Sequence, residues 1–113
     1  MTATNPEIRD LDGLRDALRA FAAARDWQPF HTPKNLAMAM IVEAAELVEH
    51  FQWLTAEESL ALSAEKLAEV RDEVADTLIY LVELADVLGI DPLAAARAKM
   101  AKNARKYPAK EMP

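Results

Sequence analysis

The sequence predicts an all-α domain, with four main helices packed as an antiparallel bundle. Three observations carry that expectation. Only two of the 113 residues are glycine, Gly13 and Gly89, whereas a β-sandwich or barrel needs many tight turns. Alanine, leucine, glutamate, lysine and arginine, which favour helices, dominate the rest. Apolar residues also recur at helical spacing between recognisable cap signals. A chain of this length fits one domain, residues 1–113, around one core.

Each helix has its own punctuation. The first is expected from about Leu11 to Arg25, with Leu11, Leu14, Leu18 and Phe21 on one face and Asp10 as the N-cap. The segment Asp26 to His31 breaks that pattern, and Pro29 bars its continuation as regular helix. Thr32-Pro33, a cap hydroxyl followed by proline at the first helical position, starts the second helix, which is expected to run to about Trp53. Thr55 with Glu58 three residues on reads as a capping box for a short helix over 56–62. Ser63 caps the third main helix, which should end near Leu88 with Gly89 as its stop. Asp91-Pro92 repeats the cap-plus-proline signal for the fourth, which should reach about Lys106 before Pro108. The connections are short, as in an antiparallel bundle.

Composition narrows the function classes. There is no cysteine, hence no disulfide framework and no thiolate metal site. The longest apolar run, Leu36 to Val42, has seven residues, against the roughly 20 that a membrane-spanning helix needs. A soluble, cytoplasmic protein with no membrane partner is expected. The net charge is −6, and it is uneven: residues 91–113 carry +4 and the remainder −10. A generally acidic surface argues against binding a nucleic-acid polymer. The basic segment reads on charge alone as a solvated helix end, with enough charge to meet a compact anion.

The informative residues are acids in apolar surroundings. Glu43 directly follows the seven-residue apolar run, at the edge of the stripe formed by Met40, Ile41, Leu47, Val48 and Phe51. Glu46 lies one turn on, on the same side. The third helix repeats the arrangement with Glu73 and Asp76, and Glu69 and Tyr80 share their side. Around them Val74-Ala75 and Thr77 to Val82 are apolar nearly all the way round, the pattern of a largely buried helix. An uncompensated buried carboxylate costs several kcal/mol. If the two helices are antiparallel neighbours, the four acids converge, and a divalent cation would relieve their repulsion. An all-oxygen, sulfur-free donor set is what hard Mg²⁺ prefers. The alternative on pattern alone is four surface acids with ordinary lysine and arginine neighbours.

Other chemistries fit poorly. A di-iron bundle wants Glu-x-x-His pairs, which neither His31 nor His50 completes. No phosphate-cradling glycine loop is present. Ser59 and Ser63 lack a nearby base that would make either a nucleophile.

The spacing Glu43-x-x-Glu46, 26 residues, Glu73-x-x-Asp76 resembles the signature of the MazG-like all-α NTP pyrophosphohydrolases. Flanking segments resemble the dCTP pyrophosphatase type within that family: Arg25-Asp26-Trp27, then Phe30-His31-x-Pro33-x-Asn35-Leu36, Phe51-Gln52-Trp53, Asp76 to Leu81, and Lys99-Met100 with Asn103 and Tyr107-Pro108. Together these span about residues 14–108. The resemblance implies that Glu43, Glu46, Glu73 and Asp76 are the catalytic and metal-binding set, holding Mg²⁺ against a triphosphate. It implies a base and sugar pocket from Trp27, Gln28, Pro29, Phe30 and His31, with Trp53 and Tyr80. Lys99, Asn103 and Arg105 or Lys106 would meet the nucleotide, from a neighbouring subunit of a homo-oligomer (dimer or tetramer). The implied reaction is hydrolysis of dCTP or a 5-modified dCTP to dCMP and diphosphate, in house-cleaning of the nucleotide pool. The alternatives are another nucleotide (dUTP, an oxidised triphosphate, phosphoribosyl-ATP) or a non-catalytic helical oligomeric binding module.

Two positions depart from the family pattern. Val42 stands where many relatives carry an additional Glu, and Leu18 where the dCTP-type relatives place a histidine that contacts substrate. On pattern alone Trp27, Trp53 and Tyr80 read as core and His31 as a residue of the capping region. Their places in the matched segments make them pocket candidates. His50 reads as structural or as a neighbour of the metal ligands.

Overall fold

The carboxylate of Asp10 accepts a hydrogen bond from the Gly13 amide (2.7 Å) and opens helix α1, Leu11–Ala24. In this computed structural model, which describes residues 7–110, the remaining elements are a one-turn 3₁₀ helix at Gln28–Phe30, α2 at Pro33–Glu49, α3 at Ala56–Ser59, α4 at Ala64–Val87 and α5 at Pro92–Lys106. No strand occurs among the described residues, and none of their helices is long and apolar enough to cross a membrane. Residues 111–113, the end of the basic tail, lie outside the described part.

The cap signals hold residue by residue. Thr32, Ser63 and Asp91 accept from the amides of Asn35, Lys66 and Leu93 at 3.2, 3.1 and 3.0 Å. Thr55 and Glu58 form the reciprocal capping box. The end of α1 is a Schellman turn: the Trp27 amide donates to Ala22 O and the Asp26 amide to Ala23 O, with Asp26 left-handed at φ 56°. That turn lays the Trp27 ring edge-on to Phe21 at 5.6 Å. Gly89, at φ 69°, closes α4 in the same way, with the Ile90 amide on Ala85 O.

Two lengths differ from the sequence expectation. Helix α2 stops at Glu49 rather than near Trp53. Beyond it the amides of His50 and Phe51 bond three residues back, tightening the chain towards Thr55, whose extended backbone is needed for the capping box. The short helix likewise ends at Ser59, because Ser63 must be extended to cap α4.

α2 and α4 run antiparallel. His31, just before α2, meets Glu83; Glu43 meets Glu73; and His50 meets Lys66, so residues later in α2 face residues earlier in α4. α2 packs along α4 more extensively than α1 does. The core is correspondingly thin: Ala22 from α1, Leu36 from α2, and Val70, Val82 and Ala85 from α4. The expectation that α4 is largely buried does not hold within one chain, since Leu67, Val74, Leu78 and Leu81 are all more than 40% exposed. α1 and α2 cover only two sides of it. Every residue of α5 after Pro92 is exposed as well.

Candidate metal centre

The antiparallel pairing of α2 and α4 brings three of the predicted carboxylates together. Glu43, Glu73 and Asp76 each present an oxygen such that all three lie within 4.8 Å of one another. Glu43 and Glu73 are half-buried and Asp76 is exposed. Glu46 lies beside Glu43, one turn along α2, but is not part of that trio. One oxygen of Glu73 (Oε2) is buried with no hydrogen-bond partner among the described residues.

Such proximity is costly for anions. A shared hydrogen bond with Glu73, then burial, then a hydrogen bond with Glu46 and repulsion from Glu46 and Asp76, push the Glu43 carboxyl from 4.5 up to about 7. A cation bound among these carboxylates would compete with the proton that the raised Glu43 pKa favours. Three convergent carboxylates, one of which has a buried oxygen without a partner, fit a hard divalent ion. Burial first, and then the charges of Glu43, Glu83 and Asp76, raise the pKa of the half-buried Tyr80 phenol, which lies between Asp76 and Glu83 along α4.

The other sequence candidates fall into three groups. Trp27 is 46% exposed and edge-on to His31 at 6.3 Å, and Arg25 caps the Phe21 face beside it. Gln28, Pro29 and Phe30 form the 3₁₀ turn, whose last carbonyl accepts from the Asn35 side chain at 3.0 Å. His31 Nδ1 lies 3.2 Å from Glu83 Oε2. Trp53 stands apart at 88% exposed in the turn after α2, beyond the end of the helix. Lys99, Asn103 and Arg105 are exposed on α5, which packs only sparsely on the other helices of its chain. His50 contacts Lys66 (3.3 Å) and Glu69 (3.8 Å) at the other end of the acidic face. Sequence reasoning missed Glu83, although it falls seven residues after Asp76 on the same helical face.

Residues 38–112 match the profile of the MazG-like family. The chain belongs to that family. Its MazG-like part contains all four acids of the α2–α4 pair. Similar proteins include dCTP pyrophosphatase 1 from Bos taurus, 43% identical over 113 residues, covering 95% of this chain and 67% of that protein. Another is dCTP pyrophosphatase 1 from Homo sapiens, 43% identical over 101 residues, covering 88% and 59% respectively. The chain thus spans about three fifths to two thirds of the length of these relatives. Among solved structures, a pyrophosphatase from Archaeoglobus fulgidus superposes with a TM-score of 0.83 at 44% identity, over 91% of this chain and all of that one. The MazG-like fold is therefore matched along nearly the whole chain.

Proposed function

We propose that this protein is a Mg²⁺-dependent nucleoside triphosphate pyrophosphohydrolase that converts dCTP or a 5-substituted dCTP to the monophosphate and pyrophosphate, in house-cleaning of a cytoplasmic nucleotide pool. The convergence of Glu43, Glu73 and Asp76 carries the reading. Its substrate is supported by 43% identity to proteins named dCTP pyrophosphatase 1.

Glu43, Glu73 and Asp76 would hold the cation, and Glu46 would complete the set or orient water. The chemistry such an ion supplies is neutralisation of charge on the phosphates and acidification of water. Glu46, beside Glu43 but outside the trio, would orient the attacking water and accept its proton. The water oxygen attacks the α-phosphorus, the bond from that phosphorus to the α–β bridging oxygen breaks, and pyrophosphate leaves. Tyr80, Trp27, His31 and the 3₁₀ turn supply the pocket walls, with aromatic faces for stacking and a few polar groups for selectivity. Trp53, Lys99, Asn103 and Arg105, exposed in their own chain, would complete the site across a subunit boundary in a homo-oligomer.

Pyrophosphate release from a panel of standard and modified NTPs and dNTPs, with Mg²⁺ and with EDTA, tests this. The expected result is turnover only with Mg²⁺, led by dCTP or a 5-substituted analogue. Turnover led by dUTP, an oxidised triphosphate or phosphoribosyl-ATP would keep the metal centre and overturn the base assignment. No release from any of them would overturn the enzyme reading in favour of a binding module.

A further inference from the structure

A cleft of about 270 Å³ lies between α1, the 3₁₀ turn and the C-terminal half of α4. Its walls are apolar at Leu18, Ala22 and Val82, and polar where Gln28, His31 and Glu83 enter. Two carboxylates of α4 border it, and they differ in one respect. Asp86 is answered by Arg19, whose Nε donates to it at 2.8 Å in a two-pronged pair. The Glu83 side chain is only 15% exposed, and its Oε2 is buried without an aligned hydrogen bond among the described residues, although His31 Nδ1 lies 3.2 Å away. A buried oxygen left without a donor is destabilising, and natural structures seldom retain one unless something supplies the donor. Burial also raises the Glu83 pKa, while His31 opposes the rise.

Position gives that oxygen a use. Asp76, Tyr80 and Glu83 follow one another at spacings of four and three on a single face of α4. Glu83 therefore sits two helical turns, about 10.5 Å along the axis, from Asp76, the member of the trio nearest to it on α4. That is the scale separating the phosphates of a nucleotide from the far edge of its base. Cytosine presents there an exocyclic amino donor beside the N3 acceptor. Uracil presents an oxygen beside N3–H.

We propose that Glu83, beside His31 in the α1–α4 cleft, is a specificity-determining residue that accepts a hydrogen bond from the exocyclic amino group of the base and so selects amino-bearing over oxo-bearing pyrimidines. This rests on the carboxylate trio being the triphosphate site. Gln28 and His31 offer N–H groups for the neighbouring ring nitrogen. With a 4-oxo base, two acceptors would face each other in a desolvated cleft, the arrangement by which a polar pocket rejects an analogue most strongly.

The test compares kcat/KM for dCTP and dUTP, with saturating Mg²⁺, in the wild type, Glu83→Gln and Glu83→Ala. The dCTP:dUTP ratio should fall by about 10-fold to 100-fold in both variants, the worth of one hydrogen bond to a charged acceptor. A ratio unchanged within about twofold, with turnover retained, overturns the assignment and leaves the metal centre standing. The wild type gives a second reading that does not depend on the variants folding: the triphosphate of 2-pyrimidinone deoxyriboside, which lacks the amino group, should be turned over at least about 10-fold less efficiently than dCTP. Equal efficiency overturns the proposal. Failure of the underlying site looks different, as no pyrophosphate from any triphosphate, and it removes the proposal with it.

Discussion

A carboxyl that shares a proton with one neighbouring acid and faces two more resists ionisation, and Glu43 is in that position against Glu73, Glu46 and Asp76. Its folded-state pKa, about 7, lies above the 4.5 of an exposed glutamate, so the metal-free folded protein binds more protons than the unfolded chain between those values. The associated stability is complete below about pH 4.5 and is lost as pH rises through about 7. Asp86, lowered by its hydrogen bond to Arg19, and Glu58, lowered by the Thr55 cap, act with the opposite sign at more acid pH and do not mask the effect. The thermal midpoint of EDTA-treated protein should therefore fall between about pH 5 and 7.5. Added Mg²⁺ should raise the midpoint most at the alkaline end, where no proton competes for Glu43. A midpoint that is flat or rising over that range without metal would contradict the account.

At the scale of elements, what was legible in the sequence was local chemistry. Asp10, Thr32, Thr55 with Glu58, Ser63 and Asp91 each cap the helix assigned to them, because a side-chain oxygen and an amide two or three residues on need nothing from elsewhere in the chain. The acid spacing carried through to space for three of the four residues, since i,i+3 neighbours share one face of their helix, while Glu46 stays outside the trio. What failed depended on competition between neighbours. The end of α2 has no glycine or proline to mark it, and the extended backbone required at Thr55 moved it back to Glu49. Glu83 went unnoticed because its significance comes from His31, more than fifty residues away in sequence, and from a cleft that only the α1–α4 packing creates.

The whole molecule is open. Its radius of gyration is 17.7 Å, against about 13 Å for a compact domain of this length. Its extents are 61 × 37 × 29 Å. Ile41 at 62%, Val48 at 60%, Val74 at 51% and Leu81 at 46% exposure leave apolar surface on α2 and α4 that α5 does not cover. Exposed apolar area on this scale marks an interface. A homo-oligomer that buries these faces would also let α5 of one subunit carry Lys99, Asn103 and Arg105 to the acids of another. Sedimentation equilibrium should accordingly give a mass that is a multiple of 12.5 kDa, a dimer or tetramer. A single-chain mass at micromolar concentration would contradict this.

The measurement closest to the central claim is pyrophosphate release by Glu46→Gln and Asp76→Asn beside the wild type, at saturating Mg²⁺ and with folding checked by circular dichroism. Each replaces one carboxylate oxygen by an amide of the same size. The account predicts folded variants with turnover reduced at least about 10²-fold, because a charged group aimed at the reacting phosphates contributes several kcal/mol to transition-state binding. Undiminished turnover in both would contradict the assignment of these acids to the catalytic centre.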